Sequence, residues 1–165
     1  MKKLLLIAVF ATFSFATMQA QEGFKLGIHA GLPMGDIDDF TTVNLGLDAA
    51  YHWNVAESFD VGIATGYTVF LGEDFDTPLG TVEAEDLSYI PIAASARYAF
   101  SENWFGGVDL GYALSTDDEV SDSGFYYQPK VGYMTMNFDI FAFYKGISLD
   151  GASAGALGIG AAYKF

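Results

Sequence analysis

A chain of 165 residues is about one domain long, and with 52% hydrophobic and 17% charged residues it carries too little charge for an ordinary water-facing surface. Its formal charge of −14 repels nucleic acid and anionic head groups unless cations intervene, which disfavours nucleic-acid binding. With no cysteine there is no disulfide or thiolate-metal framework, and past the first residues no apolar run reaches the roughly 18 to 20 that a spanning helix needs.

The amino terminus, Met1-Lys2-Lys3 followed by the apolar run Leu4 to Phe15 and then small and polar residues up to Ala20-Gln21, predicts a secretory signal peptide over 1–20. A transmembrane anchor fits less well, because the apolar core is short and a strand pattern follows at once. Cleavage after Ala20 leaves a domain over 21–165 with 5 basic and 21 acidic residues.

That domain breaks into eight segments of about ten residues, each alternating apolar and small or polar positions. The first sets Phe24, Leu26, Ile28 and Leu32 against Lys25, Gly27, His29 and Gly31. The second sets Val43, Leu45, Leu47, Tyr51 and Trp53 against Asn44, Gly46, Asp48 and His52. The third opposes Phe59, Val61, Ile63 and Tyr67 to Asp60, Gly62, Gly66 and Thr68, and the fourth opposes Ile90, Ile92, Tyr98 and Phe100 to Tyr89, Ser95 and Arg97. In the fifth, Trp104, Val108, Leu110 and Tyr112 alternate with Phe105, Gly107, Asp109 and Gly111; in the sixth, Phe125, Tyr127, Val131 and Tyr133 alternate with Tyr126, Gln128, Lys130 and Gly132. The seventh is ambiguous, since Ile140, Ala142 and Tyr144 compete with Phe141 and Phe143 for the apolar side. Asp139 and Lys145 share the parity of the two Phe, and a Lys facing hydrocarbon costs roughly 2 to 4 kcal/mol at mid-depth, so Phe141 and Phe143 are expected inward. The last segment, Leu157 to Phe165, has an apolar face ending on Tyr163 and Phe165 and a face of Gly158, Gly160, Ala162 and Lys164.

This bookkeeping sorts residues it did not use. Lys25, Arg97, Lys130, Lys145 and Lys164, all the basic residues after the signal, fall on the inward parity, as do Asp48, Asp60, Asp109, Asp139 and ten glycines. A narrow eight-stranded interior needs small residues if it is also to hold Arg, Lys, Tyr and Phe. The inward charges are expected to form a salt-bridge network, tolerable only if every member is paired. A soluble lipocalin-like barrel would put the apolar parity inside and the charges outside. Here the apolar parity also carries aromatic residues flanking the short connections near Val55-Ser58, Ser101-Asn103 and Thr135-Asn137, as an interfacial girdle does. The connections near Pro33-Thr41, Gly72-Asp86, Thr116-Gly124 and Leu149-Ser153 are read as long loops and hold 14 of the 21 acidic residues. Short turns on the side of the termini and loops opposite place both termini in the periplasm. Pro91 and Pro129 sit inside strands with no free edge and are expected at a bulge or above the hydrocarbon zone.

The fold class expected is all-β, an eight-stranded antiparallel up-and-down transmembrane barrel. On these features the chain resembles, over nearly its full mature length, the small eight-stranded outer-membrane barrels of the OmpX class and the transmembrane part of OmpA-like proteins. It also resembles the outer membrane protein β-barrel domain abundant in Bacteroidota, whose signal peptides often end in the Ala-Gln seen at Ala20-Gln21. The resemblance implies an outer-membrane monomer in contact with lipid and lipopolysaccharide, and a closing strand whose Tyr163 and Phe165 are read by the barrel-assembly machinery. No cofactor is expected.

Chemistry is sparse. His29 and His52 point inward at different heights, with no Ser or Asp expected in line with either. Some barrels of this size modify lipid A, but they place reactive groups on or near the lipid-facing wall, where this chain has almost no nucleophile. The loop carboxylates Asp36, Asp38 and Asp39, Glu73, Asp74 and Asp76, and Asp117, Asp118, Glu119 and Asp122 are candidates for divalent cations, although their spacing matches no twelve-residue calcium loop. The reading is a non-enzymatic scaffold presenting acidic loops, with a lipid A-modifying enzyme and a small ion channel as alternatives.

Overall fold

The computed structural model describes residues 23–38, 40–72, 75–77, 80–82, 86–116 and 123–165; the expected signal peptide, 1–20, lies outside them. Alternating sequence becomes ten strands: β1 Phe24–Gly35, β2 Thr41–Ala56, β3 Phe59–Gly72, β4 Phe75–Thr77, β5 Gly80–Val82, β6 Leu87–Ala99, β7 Trp104–Ser115, β8 Gly124–Met134, β9 Phe138–Leu149 and β10 Ala152–Lys164. Eight of them close into an antiparallel barrel in the order β1-β10-β9-β8-β7-β6-β3-β2, while β4 and β5 form a separate hairpin. Closure removes every free edge from the barrel, so each of its eight strands finds backbone partners on both sides without water. The seam is made by β1 and β10, running from Lys25 opposite Lys164 to Gly35 opposite Ala154.

The two faces divide as the alternation predicts. Outward residues such as Leu32, Ile159, Ile28 and Ile63 are 60–69% exposed, whereas Arg97, Asp109, Asp139 and Lys145 inside are 1–5% exposed. Apolar outside and charged inside is the polarity of a barrel solvated by lipid, the reverse of a water-soluble one. Phe141 and Phe143 point inward, as the charges of their strand required. The aromatic girdle is tied by ring contacts in three groups: Tyr51 with Trp53, Trp104 with Tyr133, and the run Phe138, Tyr163, Phe165 and Phe24.

Inward glycines are spaces for specific rings. Phe105 lies opposite Gly132, Phe143 opposite Gly158 and Phe141 opposite Gly160, and a Cβ at those glycines would meet the facing ring at 2.6, 2.8 and 2.5 Å. Cross-strand Phe–Gly pairing therefore lets three rings fit inside a narrow lumen without widening the barrel.

Three expectations need correction. Neither proline makes a bulge: the register of β6 on β3 is the same on both sides of Pro91, and that of β8 on β9 the same on both sides of Pro129. Each missing N–H instead leaves a gap in one ladder, on the β3 side for Pro91 and on the β9 side for Pro129. The Thr65 hydroxyl donates to the Pro91 carbonyl at 2.8 Å across the first gap. The bulges fall at the two ends of β2, between Thr41 and Val43 and between Asn54 and Ala56. The connection read as a loop near Leu149-Ser153 is a tight hairpin over Asp150 and Gly151, with Gly151 at φ +89°.

Candidate functional site

The lumen holds the titratable groups in layers. Farthest from the termini is an apolar plug in which Phe70, Tyr89, Ile147, Ala154 and Ala156 are at most 1% exposed. Ile37, from the β1–β2 connection, folds in beside them, held by a hydrogen bond of 2.7 Å from the Thr41 hydroxyl to its carbonyl.

Beneath the plug lies Lys145. Its Nζ donates to His29 Nε2 at 2.6 Å and to Thr68 Oγ1 at 3.1 Å, and the same Thr68 oxygen accepts from Asn44. An ammonium has only donors, so His29 Nε2 accepts and Nδ1–H donates to Asp48 Oδ2 at 2.7 Å. Lys145 has no carboxylate within ion-pair distance among the described residues, and its charge reaches Asp48 only through the imidazole.

The next layer joins His52, Ser95, Asp109 and Lys130. Ser95 Oγ donates to Asp109 Oδ1 at 2.5 Å and Lys130 Nζ donates to Asp109 Oδ2 at 2.6 Å. A carboxylate only accepts, so the Ser95 proton is committed and His52 Nε2–H donates to Ser95 Oγ at 3.0 Å, leaving His52 Nδ1 buried with no partner. The expectation that no Ser or Asp stands in line with either histidine is thus corrected: strand pairing brings Asp48 to His29, and Ser95 to His52 across β3. The geometry is still not that of a nucleophile and its base, because the histidine donates to the hydroxyl it would have to deprotonate.

Nearest the termini, Asp139 is shared by three cations. Lys25 Nζ lies 2.9 Å and Arg97 Nη1 2.5 Å from Oδ2, and Lys164 Nζ lies 3.5 Å from Oδ1 while donating to the Thr135 carbonyl. The Arg97 guanidinium also stacks 3.6 Å above the Phe105 ring. Asp60 stays apart: although it lies opposite Arg97 in the β3–β6 register, its half-buried carboxylate accepts from Asn54 at 2.9 Å at the rim. The structure therefore brings eight of the nine expected network charges into the lumen, with Asp60 left outside and Lys145 without a carboxylate of its own. The signal for Ser95, Gln128 and Thr68 was present only as parity, since a sequence does not say which inward residues share a height. A cavity of about 50 Å³ remains between the layers, so the interior is not filled solid.

Of the loop carboxylates, Asp36 accepts from the Ser153 backbone and hydroxyl at 2.7 and 2.9 Å and ties the end of the seam away from the termini. Asp39, Glu73, Asp74, Asp117, Asp118, Glu119 and Asp122 lie outside the described residues, within which no three His, Asp or Glu are grouped to hold a metal. Tyr163 and Phe165 stand in the girdle beside the seam, where Phe165 N donates to the Phe24 carbonyl at 3.1 Å.

No protein-family model matches this chain and no curated protein does. Among solved structures it is similar to Ail, the attachment invasion locus protein of Yersinia pestis, in complex with the heparin analogue sucrose octasulfate. The identity is 18%, with 87% of this chain and 97% of that one covered and a TM-score of 0.55. It is similar to Ail in a phospholipid bilayer nanodisc, at 18% identity over 87% and 100% of the two chains and TM-score 0.54, and to Neisserial surface protein A, at 20% identity over 87% and 98% and TM-score 0.52. The chain has the fold of the small eight-stranded outer-membrane β-barrels.

Proposed function

We propose that this protein is a non-enzymatic scaffold of the outer membrane that stands with both termini in the periplasm and offers an acidic surface to the outside. The observation that carries the reading is the separation of charge. Every Lys and Arg of 21–165 belongs to the lumen, while 14 of the 21 acidic residues belong to the connections at the end away from the termini. A surface with carboxylates and no cation selects cationic partners, such as a basic peptide or divalent ions bridging to lipopolysaccharide, and rejects polyanions. In this it differs from Ail, which is seen with a heparin analogue. The charge network braces and plugs the barrel, and Tyr163 and Phe165 serve as the signal for assembly.

Two measurements test it. An epitope inserted at 117–122 is expected to stain on intact cells, and one beside Glu102 only after permeabilisation; the reverse pattern overturns the orientation. Proteoliposomes carrying the protein are expected to retain an oligo-arginine peptide and not heparin. They should lose the peptide when Asp117, Asp118, Glu119 and Asp122 are replaced by Asn and Gln, whereas undiminished retention removes the loops as the interacting surface.

A further inference from the structure

The lumen cations outnumber the carboxylates buried with them. Lys25, Arg97, Lys130, Lys145 and Lys164 face Asp48, Asp109 and Asp139, and the surplus gathers at the end near the termini, where Asp139 alone serves three cations. Uncompensated charge in a low-dielectric interior is costly unless a counter-charge reaches it. Beside that surplus lies the cavity of about 50 Å³, which Lys25, Arg97 and Lys130 line together with the three carboxylates. A space of that size takes on the order of three to five waters, or one small ion with part of its shell.

The lining has donors to spare. Arg97 uses one N–H on Asp139, and Lys25 and Lys130 use one each on their carboxylates. Gln128, 2% exposed, accepts the Tyr126 hydroxyl on Oε1, so only its NH2 remains to turn to the cavity. His52 lines the same space, 7% exposed, with Nδ1 unpartnered. Access is from one side: the plug of Phe70, Tyr89 and Ile147 closes the far end, while the side chains of Lys25 and Lys164 are 12% and 25% exposed at the near one.

We propose that the lumen binds one small inorganic anion of chloride size among Lys25, Arg97 and Lys130, admitted from the end that carries the termini. A water donating one hydrogen to His52 Nδ1 and the other to the anion accounts for the orphaned nitrogen. The anion offsets the surplus and makes the lumen a halide site without making it a channel.

The test is the chlorine NMR linewidth of a chloride solution containing the refolded protein in zwitterionic detergent. No Lys or Arg of 21–165 lies outside the lumen, so adventitious surface binding is small. The line is expected to broaden well above the detergent blank, to narrow again with equimolar bromide and to ignore gluconate, which is too large to enter. Lys25→Met is expected to cut the excess broadening several-fold while the barrel keeps its heat-modifiable migration; if that variant does not fold, Lys164→Met at the rim removes the same surplus charge. A linewidth equal to the blank, or one unchanged by whichever variant folds, overturns the site.

Discussion

Asp139→Asn is the substitution that most sharply tests how the lumen is held. The change keeps the size of the side chain but removes the negative charge that serves Lys25, Arg97 and Lys164. Asp139 is 1% exposed and accepts two charge-assisted hydrogen bonds on Oδ2, each worth about 1.5 to 3 kcal/mol. Leaving buried cations without their partner costs about 3 to 5 kcal/mol in comparable sites, and the two figures agree. With a urea slope of about 2 kcal/mol/M, the unfolding midpoint should fall by roughly 1.5 to 2.5 M. Tryptophan fluorescence in lipid vesicles reports the transition, since Trp53 and Trp104 stand in the girdle, and gel migration without boiling reports the folded fraction. Asp60→Asn is the control: half-buried at the rim and bonded to the exposed Asn54 rather than to a cation, it should cost under about 1 kcal/mol. Equal effects of the two substitutions, or a loss at Asp139 within 1 kcal/mol, would refute the picture of a buried, shared carboxylate.

Other substitutions follow the same physics. Lys145→Met should be neutral or stabilising in the same urea assay, because this buried lysine has no carboxylate of its own to leave behind. Gly158→Val should cost about 1 to 3 kcal/mol or prevent folding, since even its Cβ would lie 2.6 Å from Gly31 Cα and 2.8 Å from the Phe143 ring. Deleting Phe165 should lower the amount of barrel in the membrane fraction far more than the urea midpoint of what is inserted, and normal insertion would end its role in assembly. In planar bilayers the protein should show no discrete conductance, because the apolar plug interrupts the polar column; regular unitary steps would contradict that.

Much of the fold was legible because in a lipid-solvated barrel one rule governs every strand: period-2 alternation fixes the face, and the face fixes the solvent. That is why Phe141 and Phe143 could be placed inside against their own hydrophobicity, on the parity of Asp139 and Lys145. The Phe–Gly pairs were legible as parity but not as pairs, since register follows from closure and stagger rather than from any one strand. The same gap explains His29 with Asp48 and His52 with Ser95: neighbours across two or three strands depend on tilt, which the alternation does not encode. The bulge expected at Pro91 or Pro129 does not form, because a barrel wall yields one ladder bond more readily than it yields register. The short β4–β5 hairpin and the tight turn at Asp150-Gly151 lie outside the closed sheet, where the alternation that made the rest readable no longer applies.

The central claim is the polarity of the wall, apolar outward and charged inward, and the absence of cysteine makes it directly measurable. Single cysteines at 156 to 163 along β10 can each carry a spin label in lipid vesicles, and collision with dissolved oxygen reports contact with the acyl chains. High oxygen accessibility at 157, 159, 161 and 163 alternating with low values at 156, 158, 160 and 162 is the predicted result. A flat profile, or one with the opposite phase, would contradict the account.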